Sequence, residues 1–357
     1  MFTTETLNYT QLVKTDIIDW LESVRHPERP WGRFQFHSKM LRPWSLQASS
    51  IAVRIFKMIG ELDNLPAEHI QDIKDYFYSC YDEEKRLFRD PLENESLREG
   101  KHDWKHIWGQ RNGAVIEAFE HMGENPQTET ILPEFLADID NIDPRQWVLN
   151  LNWQDPWLSG EVWSRLLIAF VNKYPGKDIV NEIPFVTKMI ETMESEILDE
   201  DTGMPILRGC QDDKPVAMAG LFKIIHGYQF IDRSIPNPQN AIDFTLQLQH
   251  ENGEFGHKRD MTMNWDSLDL ISKVSDQLNN EYRFDDIVEA GNKTAEVLLT
   301  EYKKQDGGFA FYGEQCLDRH CSVLLSHERY PISDMLGTNA ALICFKYIDR
   351  WNDIAAQ

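Results

Sequence analysis

One turn pattern recurs along this chain and limits what the chain can fold into. Its clearest copy lies in residues 304–322, where Gly307, Gly308 and Phe309 separate two stretches whose apolar residues have helical spacing. Each copy follows an amphipathic run and precedes a more apolar one. Because a single unit of this kind cannot bury its apolar face alone, the copies must pack against one another. Weaker copies occupy residues 81–92, 198–209 and 248–257.

The runs between these turns predict two kinds of helix, amphipathic outer helices and more apolar inner helices, in alternation. Strand-like alternation is rare, and the period of roughly 50–60 residues is longer than that of open solenoids. We therefore predict an all-α fold with one domain, residues 1–357, built as an (α/α)6 toroid. In such a double ring, the loops before the inner helices meet at one mouth. The predicted helices span residues 8–24, 44–60, 66–81, 104–122, 130–140, 157–173, 180–198, 215–231, 237–249, 265–279, 283–303, 318–329 and 334–350.

Charge and cysteine content narrow the class of protein. A formal net charge of −23 disfavours nucleic acid and anionic membranes as partners, because both are negatively charged. Five scattered cysteines are typical of free thiols in a reducing compartment. No apolar run reaches the ~18 residues that a membrane helix needs, and the first residues do not resemble a signal peptide. We therefore predict a cytoplasmic protein without a membrane span that binds a small molecule. The oligomeric state is not predicted.

Residues 240–257 and 295–311 resemble the repeat of the terpenoid cyclase and protein prenyltransferase superfamily. That repeat is a helix followed by Gln, a short spacer, Gly, any residue and an aromatic residue. The resemblance implies an α/α toroid and an isoprenoid substrate. The residues that carry it are Gln249, Gly253 and Phe255 in one copy, and Gln305, Gly307 and Phe309 in the other.

The same resemblance bears on metals. Prenyltransferase β-subunits have a Gly-Gly-Phe segment that leads to an Asp-x-Cys zinc pair. This chain is similar, with Asp318 in the Asp place, His320 where the Cys would stand, and Cys321 one position further. It has neither the DxDD motif of class II cyclases nor a DDxxD motif for diphosphate-bound magnesium. No metal ligand is predicted, and a divalent cation, Zn or Mg, would be the cofactor that the resemblance implies.

An aspartate precedes each of five predicted inner helices. Capping accounts for each one singly, because a carboxylate accepts hydrogen bonds from the free N–H groups of a helix start. In the predicted ring all five would face one mouth, where carboxylates protonate a substrate or bind a cation. Asp266 and Asp269 also share a helix face at i, i+3, which suits an acid–base pair as well as a solvated first turn. The five are Asp103, Asp155, Asp213, Asp266 and Asp318.

Two further groups combine titratable side chains. Cys316, Asp318, His320 and Cys321 fit acid–base catalysis by Asp318 and His320, a zinc site, or plain capping and packing. Lys223 and His226 lie at i, i+3 in an otherwise apolar run. A lysine there needs a carboxylate or a central cavity, whereas a histidine there is typical of a hydrogen-bonded core residue.

Aromatic residues cluster near the predicted starts of the inner helices. Such rings stack on sugars or stabilise carbocations, and they also fill wide cores. The residues assigned to substrate binding are Trp44, Trp104, Trp157, Trp265 and Tyr312, together with Lys223 and His226.

These observations support three functional hypotheses. The leading one is a terpenoid-cyclase- or prenyltransferase-like enzyme that acts on an apolar isoprenoid by Asp-based acid catalysis. The alternatives are a carbohydrate-processing enzyme (glycosidase or polysaccharide lyase) and a non-catalytic binding toroid. A dry pocket favours the first, a polar groove the second and a filled centre the third. The residues assigned to catalysis are Asp318, His320, Asp266, Asp269 and Asp155.

Overall fold

The computed structural model describes residues 8–28, 30–99, 104–126, 141–205 and 213–357. This part of the chain is mostly helical, which confirms the all-α prediction. None of its helices is long and apolar enough to cross a membrane. The helices are α1 Tyr9–Val24, α2 Leu46–Met58, α3 Ala67–Ser79, α4 Trp104–His121, α5 Pro144–Asn150, α6 Pro156–Lys173, α7 Ile179–Glu182, α8 Pro184–Thr192, α9 Lys214–Phe230, α10 Pro238–Leu246, α11 Met261–Gln277, α12 Phe284–Val297 and α13 Met335–Ala355.

Two antiparallel hairpins interrupt the helices. β1 (Tyr81–Asp82) pairs with β2 (Leu87–Phe88), and β3 (Arg319–His320) pairs with β4 (Val323–Leu324). Chain contacts divide the molecule into two compact units. The closed toroid stays a prediction. Unit 1 comprises Met1–Glu129, Arg259–Thr262 and Ala295–Gln357, and unit 2 comprises Thr130–Lys258 and Met263–Thr294.

In unit 1, helix α13 packs against α1 and α2, and α2 packs against α4. The carboxylate of Asp349 on α13 accepts hydrogen bonds from the backbone N–H groups of Tyr9 and Thr10 at 2.7 and 3.1 Å. These bonds satisfy free donors at the start of α1 from another helix. The first and last described helices are thereby joined.

In unit 2, α6 and α9 pack with their backbones unusually close. A Cβ at Gly160 would lie 2.8 Å from the carbonyl oxygen of Gly220, so only glycine fits there. Ser164 on α6 donates a hydrogen bond to the carbonyl of Lys223 on α9 at 2.5 Å. Because the two helices are so close, side chains at the exposed edge of α6 lie next to those at the exposed edge of α9.

The recurring turn has a common backbone geometry. A residue with positive φ is followed, two positions later, by a residue that forms a β-bridge to the strand-like segment before the turn. The copy at residues 25–34 was not predicted. Lys303, and not the predicted Gln305, occupies the place that Gln249 has in its copy. The pairs are Gly32 and Phe34, Arg86 and Phe88, Gly203 and Pro205, Gly253 and Phe255, and Gly307 and Phe309.

In four copies the backbone N–H of the aromatic residue donates to a buried polar side chain of the following helix. This bond satisfies a donor that water does not reach. In the fifth copy Pro205 has no N–H, and Ala217 stands one turn inside α9, where Ser49, Asn264 and Thr338 stand in α2, α11 and α13. The bonds are Phe34 to Ser49 at 2.9 Å, Phe88 to Asn112 at 3.0 Å, Phe255 to Asn264 at 2.9 Å and Phe309 to Thr338 at 3.0 Å.

The prediction of a helix over residues 318–329 is wrong. Cys321 and Ser322 both have positive φ, 46° and 66°, which closes the two-residue turn between β3 and β4. Asp318 therefore caps no helix, and Asp334 caps the next one, accepting from the Gly337 N–H at 2.8 Å.

The capping prediction is wrong for Asp266 as well. Helix α11 begins at Met261, and the Asp260 carboxylate accepts from the Thr262 N–H at 2.9 Å. Asp266 therefore lies in the second turn. Asp155 and Asp213 are N-caps as predicted. Asp103 and the predicted helix over residues 130–140 lie outside the described residues.

Candidate functional site

Three helices of unit 2 bring the predicted Asp266, Asp269, Lys223 and His226 into one neighbourhood. Helical spacing places Asp269 and Lys273 one turn apart on α11, and Lys223 and His226 on one face of α9. Glu161 on α6 joins them through Lys223, since α6 and α9 pack closely. We name these residues the α6/α9/α11 cluster: Glu161, Lys223, His226, Asp266, Asp269 and Lys273, with the rings of Trp157, Phe222 and Trp265.

Lys273 is the hub of the cluster. Its Nζ lies 2.6 Å from Asp269 Oδ2 and 2.7 Å from His226 Nε2, and the imidazole and the carboxylate are 3.7 Å apart. A protonated amine only donates hydrogen bonds, so His226 Nε2 accepts and the ring carries its proton on Nδ1. The backbone of Lys223 also acts on the imidazole and raises its pKa.

Burial and two neighbouring lysines keep His226 neutral. Burial lowers the pKa of His226 to about 4, the positive charges of Lys273 and Lys223 lower it as well, and Asp269 acts in the opposite direction. Burial also lowers the pKa of Lys273, although Asp269 counteracts it. The His226 side chain nevertheless keeps 35% of its surface exposed. The cluster thus combines a neutral imidazole that solvent reaches with an amine that releases its proton more readily than usual.

Glu161 and Lys223 form the second part of the cluster. Lys223 Nζ lies 3.8 Å from Glu161 Oε2 and 4.0 Å from the centre of the Trp157 ring, where the ring's negative face attracts the ammonium. Arg165, one turn after Glu161, pairs with the same carboxylate at 2.5 Å. A partly exposed indole with a cation above it is therefore held beside a buried carboxylate.

Aromatic rings link the two parts. Phe222 packs edge-on against the His226 ring at 4.8 Å and near the Trp265 ring at 6.4 Å between centres. Phe222 is buried, whereas Trp157 and Trp265 are partly exposed. The exposed ring surface and the titratable groups consequently lie on one patch of unit 2.

The other assigned residues have different surroundings. Asp155 accepts from the Leu158 N–H at 3.2 Å as the cap of α6. Trp44 packs on His26 at 4.9 Å and under Arg33 at 4.3 Å, and Tyr312 lies under Arg329 at 3.9 Å. Trp104 begins α4, and its side chain lies outside the described residues.

Asp318 and His320 lie at the start of the second hairpin, in unit 1. Burial by itself would raise the pKa of Asp318, but the hydrogen bond from Arg329 at 2.9 Å, a backbone hydrogen bond and the charges of Arg329 and Arg319 together outweigh burial, and the pKa is lowered. A carboxyl group that stays ionised is a weak proton donor at neutral pH. His320 Nδ1 lies 2.8 Å from Gln47 Oε1.

Within the described parts of the chain, no group of three or more His, Cys, Asp or Glu side chains is arranged to hold a metal ion. The Asp318, His320 and Cys321 set thus offers no three-ligand site there for zinc. Two members of the cluster, Lys273 and Glu161, are not among the residues predicted from the sequence. The i, i+4 spacing from Asp269 to Lys273 is the signal that would have found the first.

No family model matches this chain, and no curated protein matches it. A solved structure of a polysaccharide lyase is similar to it, with a TM-score of 0.45 and 12% sequence identity. That similarity covers 98% of this chain and 99% of the lyase chain.

Proposed function

We propose that the α6/α9/α11 cluster is the active site of an enzyme that cleaves an acidic oligosaccharide. The observation that carries this proposal is the neutral, solvent-accessible imidazole of His226, joined through Lys273 to Asp269 and set among partly exposed aromatic rings. Acid–base catalysis needs such a pair of groups with separated proton affinities. Exposed indoles give a sugar ring a surface to stack on.

The charges of the cluster favour a sugar over an isoprenoid. Lysine, glutamate and aspartate side chains surround the rings, and an apolar chain would displace water from these charged groups without offering them a hydrogen bond. A sugar supplies hydroxyl groups to them. The isoprenoid hypothesis stays a prediction with less support from this site.

Lys223 favours an acidic sugar in particular. A uronate bound beside Trp157 would bring its carboxylate to the ammonium that lies 4.0 Å from the ring centre. Neutralising a carboxylate next to the sugar C5 makes the C5 proton easier to remove, because the resulting carbanion is stabilised. This chemistry leads to β-elimination.

In the proposed step, His226 Nε2 takes the C5 proton after the substrate has displaced Lys273 from it. The C5–H electron pair forms the C4–C5 double bond, the C4–O glycosidic bond breaks, and the leaving oxygen takes a proton from the Lys273 ammonium. Asp269 holds Lys273 in place. Because the pKa of His226 is about 4, the rate should stay high until the pH falls towards that value.

The test is turnover of a panel of uronate-containing and neutral oligosaccharides, followed by the ultraviolet absorbance of the unsaturated product and by new reducing ends. We expect His226→Ala and Lys273→Met to lower kcat/KM on the acidic substrate by about 100-fold or more, and Trp157→Ala to raise KM. The matched control is Lys293→Met, which removes an exposed lysine paired with Glu289 at i−4 and should leave turnover unchanged.

Three results would contradict the proposal. If His226→Ala and Lys273→Met left turnover unchanged, the α6/α9/α11 cluster would not be the active site. Cleavage of neutral oligosaccharides alone would remove the role of Lys223. New reducing ends without an unsaturated product would show hydrolysis and overturn the elimination step.

A further inference from the structure

A second group of reactive side chains lies on the β3–β4 hairpin of unit 1, and it is independent of the proposed function. We propose that Cys321 is a nucleophilic thiol, activated by His320, that forms a mixed disulfide with small disulfides of the glutathione type. We name the residues that carry it the hairpin thiol cluster: Cys321, His320, Gln47, Arg111 and Glu93.

The hydrogen bonds of the cluster fix which nitrogen of His320 is basic. Arg111 is fully buried, and its Nη1 donates to Gln47 Oε1. Arginine has no acceptor, so the Gln47 atom facing it is the amide oxygen. His320 Nδ1 lies 2.8 Å from that same oxygen and 3.4 Å from Arg111 Nη1, which itself donates to Gln47. The shorter contact, to the oxygen, requires a proton on Nδ1. The lone pair of the neutral ring is therefore on Nε2.

That lone pair faces the thiol. His320 Nε2 lies 3.6 Å from Cys321 Sγ, within reach of an S–H donor. Cys321 sits at the first turn position of the hairpin and is partly exposed. Nucleophile, base and orienting amide thus follow the order of Cys-His-Asn triads, with Gln47 as the orienting group.

The charges around the pair support a thiolate. Burial by itself would lower the pKa of Arg111, but Glu93 and then Cys321 are among the groups that raise it above its ordinary value. Cys321 and Arg111 therefore interact electrostatically, and the arginine favours the ionised sulfur. Behind Arg111, Glu93 binds its Nη2 at 3.0 Å and also lies 3.6 Å from Arg42, so the arginine is held in place.

The remaining charges lie farther along the same elements. Arg42 pairs with Asp90 at 3.5 Å, and on the hairpin Arg319 pairs with Asp318 at 3.3 Å and with Glu99 at 3.6 Å. Each of these groups already has an opposite charge beside it. Arg111 is paired as well, with Glu93, and it is the cation that interacts electrostatically with Cys321.

The proposed step balances without a metal or a reducing agent. His320 Nε2 takes the thiol proton, and the Cys321 thiolate attacks one sulfur of the disulfide. A bond forms between Sγ and that sulfur, the original S–S bond breaks, and the released thiolate takes the proton from His320. Cys321 is oxidised, and half of the disulfide is reduced.

Other described thiols provide internal controls. Burial raises the pKa of Cys80 and of Cys316 to about 12, and Cys344 is buried as well. Buried thiols of this kind react slowly. Cys316 stands five residues from Cys321 in the sequence, so it is a close comparison on the same segment.

The experiment treats the folded protein, in a Cys210→Ser background because Cys210 lies outside the described residues, with glutathione disulfide and separately with iodoacetamide. Peptide mapping then measures the rate at each thiol. We expect modification at Cys321 but not at Cys80, Cys316 or Cys344. An ordinary thiol is only a few per cent ionised at neutral pH, so His320→Gln should slow Cys321 by about tenfold and move its rate–pH profile to higher pH. Gln47→Leu should change the profile in the same direction.

The wild-type chain in urea is a second comparison that needs no folded variant, because unfolding separates His320 from Gln47 and leaves an ordinary thiol. Cys321 should react about tenfold faster at neutral pH in the folded protein than in urea. Equal rates in the two states, or a His320→Gln protein that keeps Cys316 protected while Cys321 reacts at the wild-type rate, would overturn the proposal.

Discussion

Gly307 is the position where a single methyl group tests the geometry of the recurring turn. Its φ is +104°, which side chains other than glycine's rarely adopt, and a Cβ there would lie 2.5 Å from the carbonyl oxygen of Asp16 on α1. That distance is about 1 Å shorter than an ordinary contact. Because the clashing atom belongs to a helix backbone, it cannot turn aside as a side chain would.

The expected cost of Gly307→Ala has two parts. The positive φ contributes roughly 1–2 kcal/mol, and displacing α1 from its packing adds roughly 1–3 kcal/mol. The free energy of unfolding should therefore fall by about 2–5 kcal/mol. Urea denaturation measures it, and hydrogen exchange of the α1 amides should speed up with it.

Gly60→Ala is the matched control. Gly60 also has a positive φ, +71°, but a Cβ there would meet nothing within 4 Å. It should cost only the backbone part, roughly 1–2 kcal/mol. Equal losses for the two variants would show that the contact between the turn and α1 contributes nothing to stability.

Two further perturbations address the core of unit 1. His37 is buried, with Nε2 3.0 Å from the Leu317 carbonyl and Nδ1 accepting from the Lys39 N–H at 3.2 Å, and burial lowers its pKa to about 4 from an ordinary 6.5. Its contribution to stability is present above pH 6.5 and is lost as the pH falls towards 4. The difference in unfolding free energy between wild type and His37→Gln should thus shrink by about 3 kcal/mol over that window; a constant difference in urea titrations would contradict this. Thr338→Val keeps the side chain's shape but leaves the buried Phe309 N–H without its acceptor, so the free energy of unfolding should fall by about 1–3 kcal/mol. Thr338→Ser keeps the hydroxyl group and should retain most of the stability. Equal losses of stability for the two variants would argue against the hydrogen bond.

Apolar periodicity predicted most helices because it reflects which face each one buries. It failed at residues 318–329, where the short apolar run Val323, Leu324 and Leu325 fits a strand as well as a helix. Cys321 and Ser322 adopt a left-handed backbone, but neither is a glycine, so the sequence gives no signal for the turn. Local pattern alone therefore could not choose between hairpin and helix there.

The candidate site was predictable in pieces. Spacing along one helix paired Lys223 with His226 on α9, and it would equally have paired Asp269 with Lys273 on α11. That His226 meets Lys273 depends on how two helices pack, and no local pattern contains this information. Asp266 was misplaced because the start of α11 is set by Asp260, five residues before the predicted start at residue 265.

Pro205 and Ala217 depend on each other in any redesign of this turn. In each of the other four copies, a backbone N–H of the turn donates to a polar side chain of the following helix. In this copy both the donor and the acceptor are absent. Positions 205 and 217 should therefore be changed together. Pro205→Phe alone would leave a backbone N–H without an acceptor, and Ala217→Asn alone would leave a side-chain amide without a donor. The double variant, Pro205→Phe with Ala217→Asn, supplies both partners of the hydrogen bond.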